Sequence, residues 1–145
     1  MKRPMVLAHE FVKSIPSDLA ERTLYVSVDY ATVVHKCCCG CGREVVTPLT
    51  PTDWALIYDG VSISLNPSIG NWSFKCRSHY WISKSTVRWA RQWSSSRIAA
   101  GRARDRRLKE RYYGERETDF RGIEESLRTG AVKRLWRRLP DIWRS

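Results

Sequence analysis

His35-Lys36-Cys37-Cys38-Cys39-Gly40-Cys41-Gly42, answered further on by Cys76-Arg77-Ser78-His79, holds all five cysteines of the chain in two short segments. Four thiols between residues 37 and 41 do not make a disulfide framework, because neighbouring cysteines are too constrained to bridge one another without strain. They do suit one soft cation. Zinc takes thiolates and imidazoles in a tetrahedron, and a tight turn that aims two sulfurs the same way supplies half of such a site. Cys76-x-x-His79 supplies the other half, a sulfur and a ring nitrogen presented by one turn. A bound zinc is therefore expected, against the plainer alternative of a buried cluster of reduced cysteines with a core histidine. Two registers are open at the first half-site. A C-x-x-C-G knuckle, with glycine relieving the crowding after the second Cys, selects Cys38 and Cys41. A C-x-C reading selects Cys39 and Cys41 and leaves Cys37 as an outer donor. Cys41, Cys76 and His79 are common to both.

Working outward, the 145 residues make one domain with an appendage. The formal charge is +11, and residues 88–145 carry 17 of the 26 Lys+Arg but only 8 of the 15 Asp+Glu. The charge thus divides the chain into a nearly balanced metal-stapled part, residues 1–93, and a basic tail, residues 94–145. No apolar run approaches a membrane span, and the start lacks the long apolar segment of a secretory signal. Clustered cysteines without an export signal point to a reducing, cytoplasmic setting.

The first part reads as short strands. Residues 5–12, 24–28, 31–34 and 43–47 are β-prone, and His9 within the first is expected to pack rather than ligate. Residues 54–58 and 61–65, joined by Asp59-Gly60, carry the strongest hairpin signal. Residues 66–71 read as a loop, and residues 80–83 and 86–89 as a second hairpin around Lys84-Ser85. Trp54, Trp72, Trp81 and Trp89 are expected to fill the core. From Ser94 a helix is expected to run to about Tyr113, capped by Gly114, with Arg97, Arg102, Arg104, Arg106, Arg107, Lys109 and Arg111 along it. Val132, Leu135, Trp136 and Leu139 follow i, i+3, i+4, i+7 and make a short basic amphipathic helix ended by Pro140. The fold class is α+β: a small, mostly antiparallel β domain of zinc-ribbon-like hairpins, followed by a basic C-terminal helical extension.

Through HEFV, YVSVDYAT, CCCGCG, TPTDW, NPSIGNWSF and CRSHYWI, the chain resembles a bacterial family catalogued as a domain of unknown function, number sixty-five twenty-seven. The resemblance covers about residues 5–113. It implies a small zinc-binding protein whose genes sit beside those of bacterial ubiquitin-like conjugation: an activating enzyme, a conjugating enzyme, a ubiquitin-like protein and a metal-dependent peptidase. Relatives write the cysteine turn C-x-C-G-C-G, which implies Cys37, Cys39 and Cys41 as ligands with Cys76 and His79, and sets Cys38 aside.

Three functions are compatible with these features. The first is a non-catalytic, possibly ligase-like adaptor. Its zinc-stapled platform would offer Ile69, Asn71 and Trp72, and its tail Val132, Leu135, Trp136 and Leu139, to a conjugating enzyme or ubiquitin-like protein. The second is nucleic-acid binding through the basic residues from Arg97 to Arg111. The third is an enzyme, with a spare Cys as nucleophile and His35 or His79 as base, or with water activated at an open metal position. No acidic base stands at motif spacing, since Glu44 reads as a strand residue, so the balance leans away from catalysis.

Overall fold

In the computed structural model, which describes residues 4–130, alternating apolar residues build nine strands and one helix among the described residues. The strands are β1 (Met5–Val6), β2 (Ala8–Phe11), β3 (Thr23–Ser27), β4 (Thr32–Lys36), β5 (Glu44–Pro48), β6 (Ala55–Tyr58), β7 (Ile63–Gly70), β8 (His79–Ser83) and β9 (Thr86–Trp89), and the helix is α1 (Ser95–Arg128). They form a five-stranded sheet, β1-β9-β8-β7-β6, and a four-stranded sheet, β2-β3-β4-β5. All pairings are antiparallel except β2 with β3. The fold is α+β and mostly antiparallel, as the strand pattern implies.

Both sheets contribute to one core. Leu24, Val26, Val33 and Val45 from one meet Ile63, Leu65, Ile69, Tyr80, Ile82 and Val87 from the other. Burying one face of each sheet in this way is the dominant favourable contribution to folding. His35 reaches across it: its Nε2 lies 2.8 Å from the Tyr80 hydroxyl. Burial lowers the His35 pKa to about 4, so the imidazole crosses the core uncharged. A second, smaller cluster of Leu19, Tyr25 and Val34 lies with Val12 and Ile15. This explains why every residue of β3 is buried.

Several elements differ from the sequence reading. The apolar run 5–12 is broken at Leu7, so that β1 pairs with β9 while β2 joins the other sheet. Residues 66–70 are not a loop but the second half of β7. Leu65 pairs with Ile82 and Ile69 with Tyr80, so three residues of β7 stand where β8 has one. Such a bulge re-aims side chains while the strand continues, and the Asn66–Pro67 peptide within it is cis. The predicted hairpins hold. Asp59 ties its turn by accepting the Val61 and Ser62 amides (2.9 and 2.6 Å), and Lys84 and Ser85 both take positive φ, the geometry of a two-residue hairpin loop. Of the four tryptophans, Trp54 and Trp89 pack on the core. Trp72 is only half-buried, and Trp81 is 42% exposed.

The chain divides into two compact units, Met1–Ala100 and Gly101–Ser145. Helix α1 runs well past the expected stop at Gly114. Its surface is polar enough to need no cap there, and i,i+4 pairs such as Arg121–Glu117 (2.6 Å) support it. The amphipathic pattern of Val132, Leu135, Trp136 and Leu139 lies outside the described residues. Among the described residues, no helix is long and apolar enough to cross a membrane. Because a Cβ at Gly114 or Gly122 would meet nothing within 4 Å, Gly114→Ala and Gly122→Ala should each stabilise α1 by about 0.5–1 kcal/mol. Helical circular dichroism on heating checks this; a lowered melting point for Gly114→Ala would show that the helix ends there.

Candidate functional site

The turn after β4 is built to gather sulfur. The Cys37 amide donates to the Arg43 carbonyl (2.7 Å) and the Gly40 amide to the Cys37 carbonyl (3.0 Å). Gly40 and Gly42 take positive φ at 88° and 78°, conformations open to glycine at little cost. This brings Cys37, Cys39 and Cys41 to Cys76, with all four sulfurs within 4.8 Å of one another. Measured edges are 3.5 Å for Cys37–Cys39, 3.9 Å for Cys37–Cys76 and 4.0 Å for Cys41–Cys76. A tetrahedron with metal–sulfur bonds of about 2.3 Å has edges of about 3.8 Å. The four sulfurs therefore fit one soft metal ion.

Hydrogen-bonding groups surround the sulfurs, and burial acts against them. The Cys41 amide donates to Cys39 Sγ (3.3 Å) and Asn71 Nδ2 to Cys37 Sγ (3.7 Å), while Ser78 Oγ lies 3.1 Å from Cys37 Sγ. Burial pushes Cys76 up, but the Ser78 hydroxyl and amide, then Cys39 and Cys37, outweigh it and bring the thiol down to about 7. Burial pushes Cys39 up to about 12, helped by its neighbouring thiols. Cys38 stands apart from the group. It is buried, and burial pushes it up to about 12. The register that converges on Cys76 is thus Cys37, Cys39 and Cys41, not the knuckle pair Cys38 and Cys41.

His79 does not join the sulfurs, contrary to its reading as a metal ligand. It opens β8, buried, with Nδ1 2.7 Å from the Arg91 carbonyl and Nε2 2.9 Å from Ser68 Oγ. A carbonyl can only accept, so Nδ1 carries the hydrogen and Nε2 presents its lone pair to the Ser68 hydroxyl. The β bulge creates this meeting. Gly70 pairs with His79 across β7 and β8, so Ser68, two residues back, shares the face of His79 while Ile69 points into the core. Trp72 and Trp93 close over the imidazole, with ring centroids at 4.9 and 5.3 Å, and stack on each other at 5.7 Å. Arg97 lies 4.4 Å over Trp93. A Cβ at Gly70 would collide with the Trp72 indole, so only glycine lets Trp72 fold back onto His79.

Ile69 and Asn71 are buried and present no surface to a partner. Asn71 instead joins the two centres: its amide donates to the Ser78 carbonyl (2.8 Å) and its Nδ2 to Ser78 Oγ (2.9 Å). Trp72 belongs to the cover over His79. Ser68 and the Arg91 carbonyl were not legible as site groups. Ser68 lies in no Gly-x-Ser-x-Gly elbow, a backbone carbonyl has no sequence signature, and only the shifted register brings Ser68 to His79.

These observations define an α+β protein with a four-cysteine cluster that could hold a metal ion and, on the imidazole three residues beyond Cys76, the hydroxyl of Ser68. Residues 11–90, more than half of the chain, match the family described as bacterial ubiquitination-like system serine protease (BubE), and the chain belongs to that family. No curated protein and no solved structure matches the chain.

Cys76→Ser should abolish metal binding and unfold the β unit, because binding energy at such a site is folding energy. Cys38→Ser should keep its metal. Metal analysis and thermal melts of both variants test the assignment, which fails if Cys38→Ser loses the ion as completely as Cys76→Ser.

Proposed function

We propose that this protein is a serine peptidase that cleaves the acyl bond at the C-terminal tail of the ubiquitin-like protein of its conjugation system. Ser68 is the nucleophile, His79 the general base and the Arg91 carbonyl the group that orients the base. The observation that carries this reading is the 2.9 Å contact of Ser68 Oγ with His79 Nε2, made while Nδ1 is held by a carbonyl at 2.7 Å. A nucleophile on a base that is itself oriented by a third group is the arrangement acyl transfer requires. The family description, a serine protease of a bacterial ubiquitination-like system, supports this reading, and the ubiquitin-like protein as substrate is part of the proposal.

In this reading, Ser68 Oγ attacks the scissile carbonyl carbon as its proton passes to His79 Nε2. The imidazolium returns that proton to the leaving amine as the carbon–nitrogen bond breaks. Water then attacks the Ser68 ester, His79 takes a proton from it, and Ser68 is released with its hydrogen restored. Nδ1 keeps its hydrogen throughout. The metal, proposed to be zinc, is held by Cys37, Cys39, Cys41 and Cys76, and supplies cross-linking rather than chemistry because its four ligands leave no open position. A purely non-catalytic adaptor would leave the Ser68–His79 contact without a role.

Ser68→Ala and His79→Gln should each lower cleavage of a C-terminally extended ubiquitin-like protein by about 10²–10⁴-fold while the metal content stays at one equivalent. A fluorophosphonate probe should label wild-type Ser68. Full activity in Ser68→Ala, or labelling at another residue, would sink the assignment.

A further inference from the structure

We propose that the outer edge of β7 at Pro67–Gly70 is the strand on which the substrate is bound. It takes an extended segment of substrate polypeptide as an added strand beside Ser68, with the exposed indole of Trp81 as a platform for a substrate side chain. This rests on Ser68 being the nucleophile.

Strand β6 covers only the first half of β7, since its pairs run from Tyr58↔Ile63 to Ala55↔Asn66. From Pro67 to Gly70, β7 goes on with β8 on one side, and no strand among the described residues pairs on the other. The free side is where the backbone points. The Asn71 amide bonds the Ser78 carbonyl (2.8 Å), so Asn71 and Ser78 form a hydrogen-bonded pair and Gly70 and His79 the intervening non-bonded one. The amide and carbonyl of Gly70 therefore face away from β8, toward the open edge. Pro67 has no amide to donate, which suits an edge position. An open edge is a template for another chain, and a strand added there gains affinity from main-chain bonds with little demand on sequence.

The nucleophile fixes the occupant. Ser68 lies within the open stretch, so a chain laid along it passes its own carbonyls by the hydroxyl, as cleavage of a flexible polypeptide tail requires. A second copy of this protein on the same edge would cover Ser68 instead. Trp81 strengthens the case. On β8, Tyr80 and Ile82 are buried while Trp81 is 42% exposed. It shares the face of His79, opposite the 66–68 bulge, and pairs with Arg88 of β9. A large exposed ring beside a nucleophile offers apolar contact area at low entropic cost.

The test uses the full chain, with the ubiquitin-like protein of its system carrying a C-terminal reporter as one probe and p-nitrophenyl acetate as the other. Small-ester hydrolysis needs the Ser68–His79 pair but no added strand. Saturating Ser68→Ala with the fusion should slow amide exchange at Gly70 at least about tenfold, the mark of a new ladder bond. Trp81→Ala should raise KM for the fusion about tenfold. If wild type turns over both probes yet exchange at Gly70 is unchanged in the complex, the added strand is refuted while the peptidase reading stands. If exchange slows with rising protein concentration and no fusion, the edge belongs to a second copy and the proposal falls. If neither probe is turned over, the proposal falls together with the peptidase reading.

Discussion

The convergence of the Cys37–Cys41 turn on Cys76 is the constraint on which the rest depends. It ties the end of β4, in one sheet, to the residues that lead into β8, in the other. Without it, the two sheets share only a small apolar core, and a unit of about a hundred residues buries a modest fraction of its surface. A metal held by these four cysteines would close a loop of more than thirty residues and remove the many unfolded conformations in which the segments lie apart. The local geometry prepares this: two positive-φ glycines, the amide of Cys41 and the side chains of Asn71 and Ser78 all support sulfur before any ion is considered.

The same cross-link reaches the proposed catalytic pair through covalent and hydrogen-bonded neighbours. Cys76 is three residues from His79, and Ser78, between them, touches both Cys37 and Cys76 (3.1 and 3.5 Å). Asn71 bonds Ser78 through main chain and side chain alike and is one residue from Gly70, the pairing partner of His79. A structural metal at this cluster would fix strand register. Register is what separates a 2.9 Å Ser68–His79 contact from none, because a one-residue slip turns every side chain to the other face of the sheet. Burying Asn71 costs desolvation, which three side-chain partners offset: Ser78, Tyr80 and Cys37.

Much of this was legible in the sequence, and the part that was not has physical causes. The cysteine turn, the Asp59-Gly60 and Lys84-Ser85 hairpins and the α+β class follow from local chemistry: ligand spacing, positive-φ turns and alternating apolar residues. His79 is not legible as a base because Cys-x-x-His is also what a metal half-site looks like. Residue spacing records which donors are near one another, not which way a ring turns, and this ring turns to Ser68. Residues 66–70 read as a loop because Asn-Pro-Ser and Gly break strands in general, yet here the bulge absorbs them within β7. Gly114 read as a cap because glycine often ends helices. A long, exposed, charged helix tolerates it at a small cost.

In the proposed mechanism a backbone carbonyl, that of Arg91, stands behind His79 where a carboxylate would be expected. A carboxylate would fix the tautomer and also stabilise the imidazolium that forms when Ser68 gives up its proton. The Arg91 carbonyl does the first as well, since it accepts the Nδ1 hydrogen and nothing else, but it offers a dipole where a carboxylate offers a charge. Trp72 and Trp93 contribute to the second. Aromatic rings at 4.9 and 5.3 Å from a ring that becomes cationic attract it through their quadrupoles, at the ~0.5–2 kcal/mol scale of cation–π contacts. Burial of the imidazole also strengthens its bond to the carbonyl. Arg97 works against this, because its guanidinium already lies on Trp93. Trp72 is then the ring most available to the imidazolium. Under the proposed mechanism Gly70 takes part through its missing Cβ, the space that lets the Trp72 indole lie against His79.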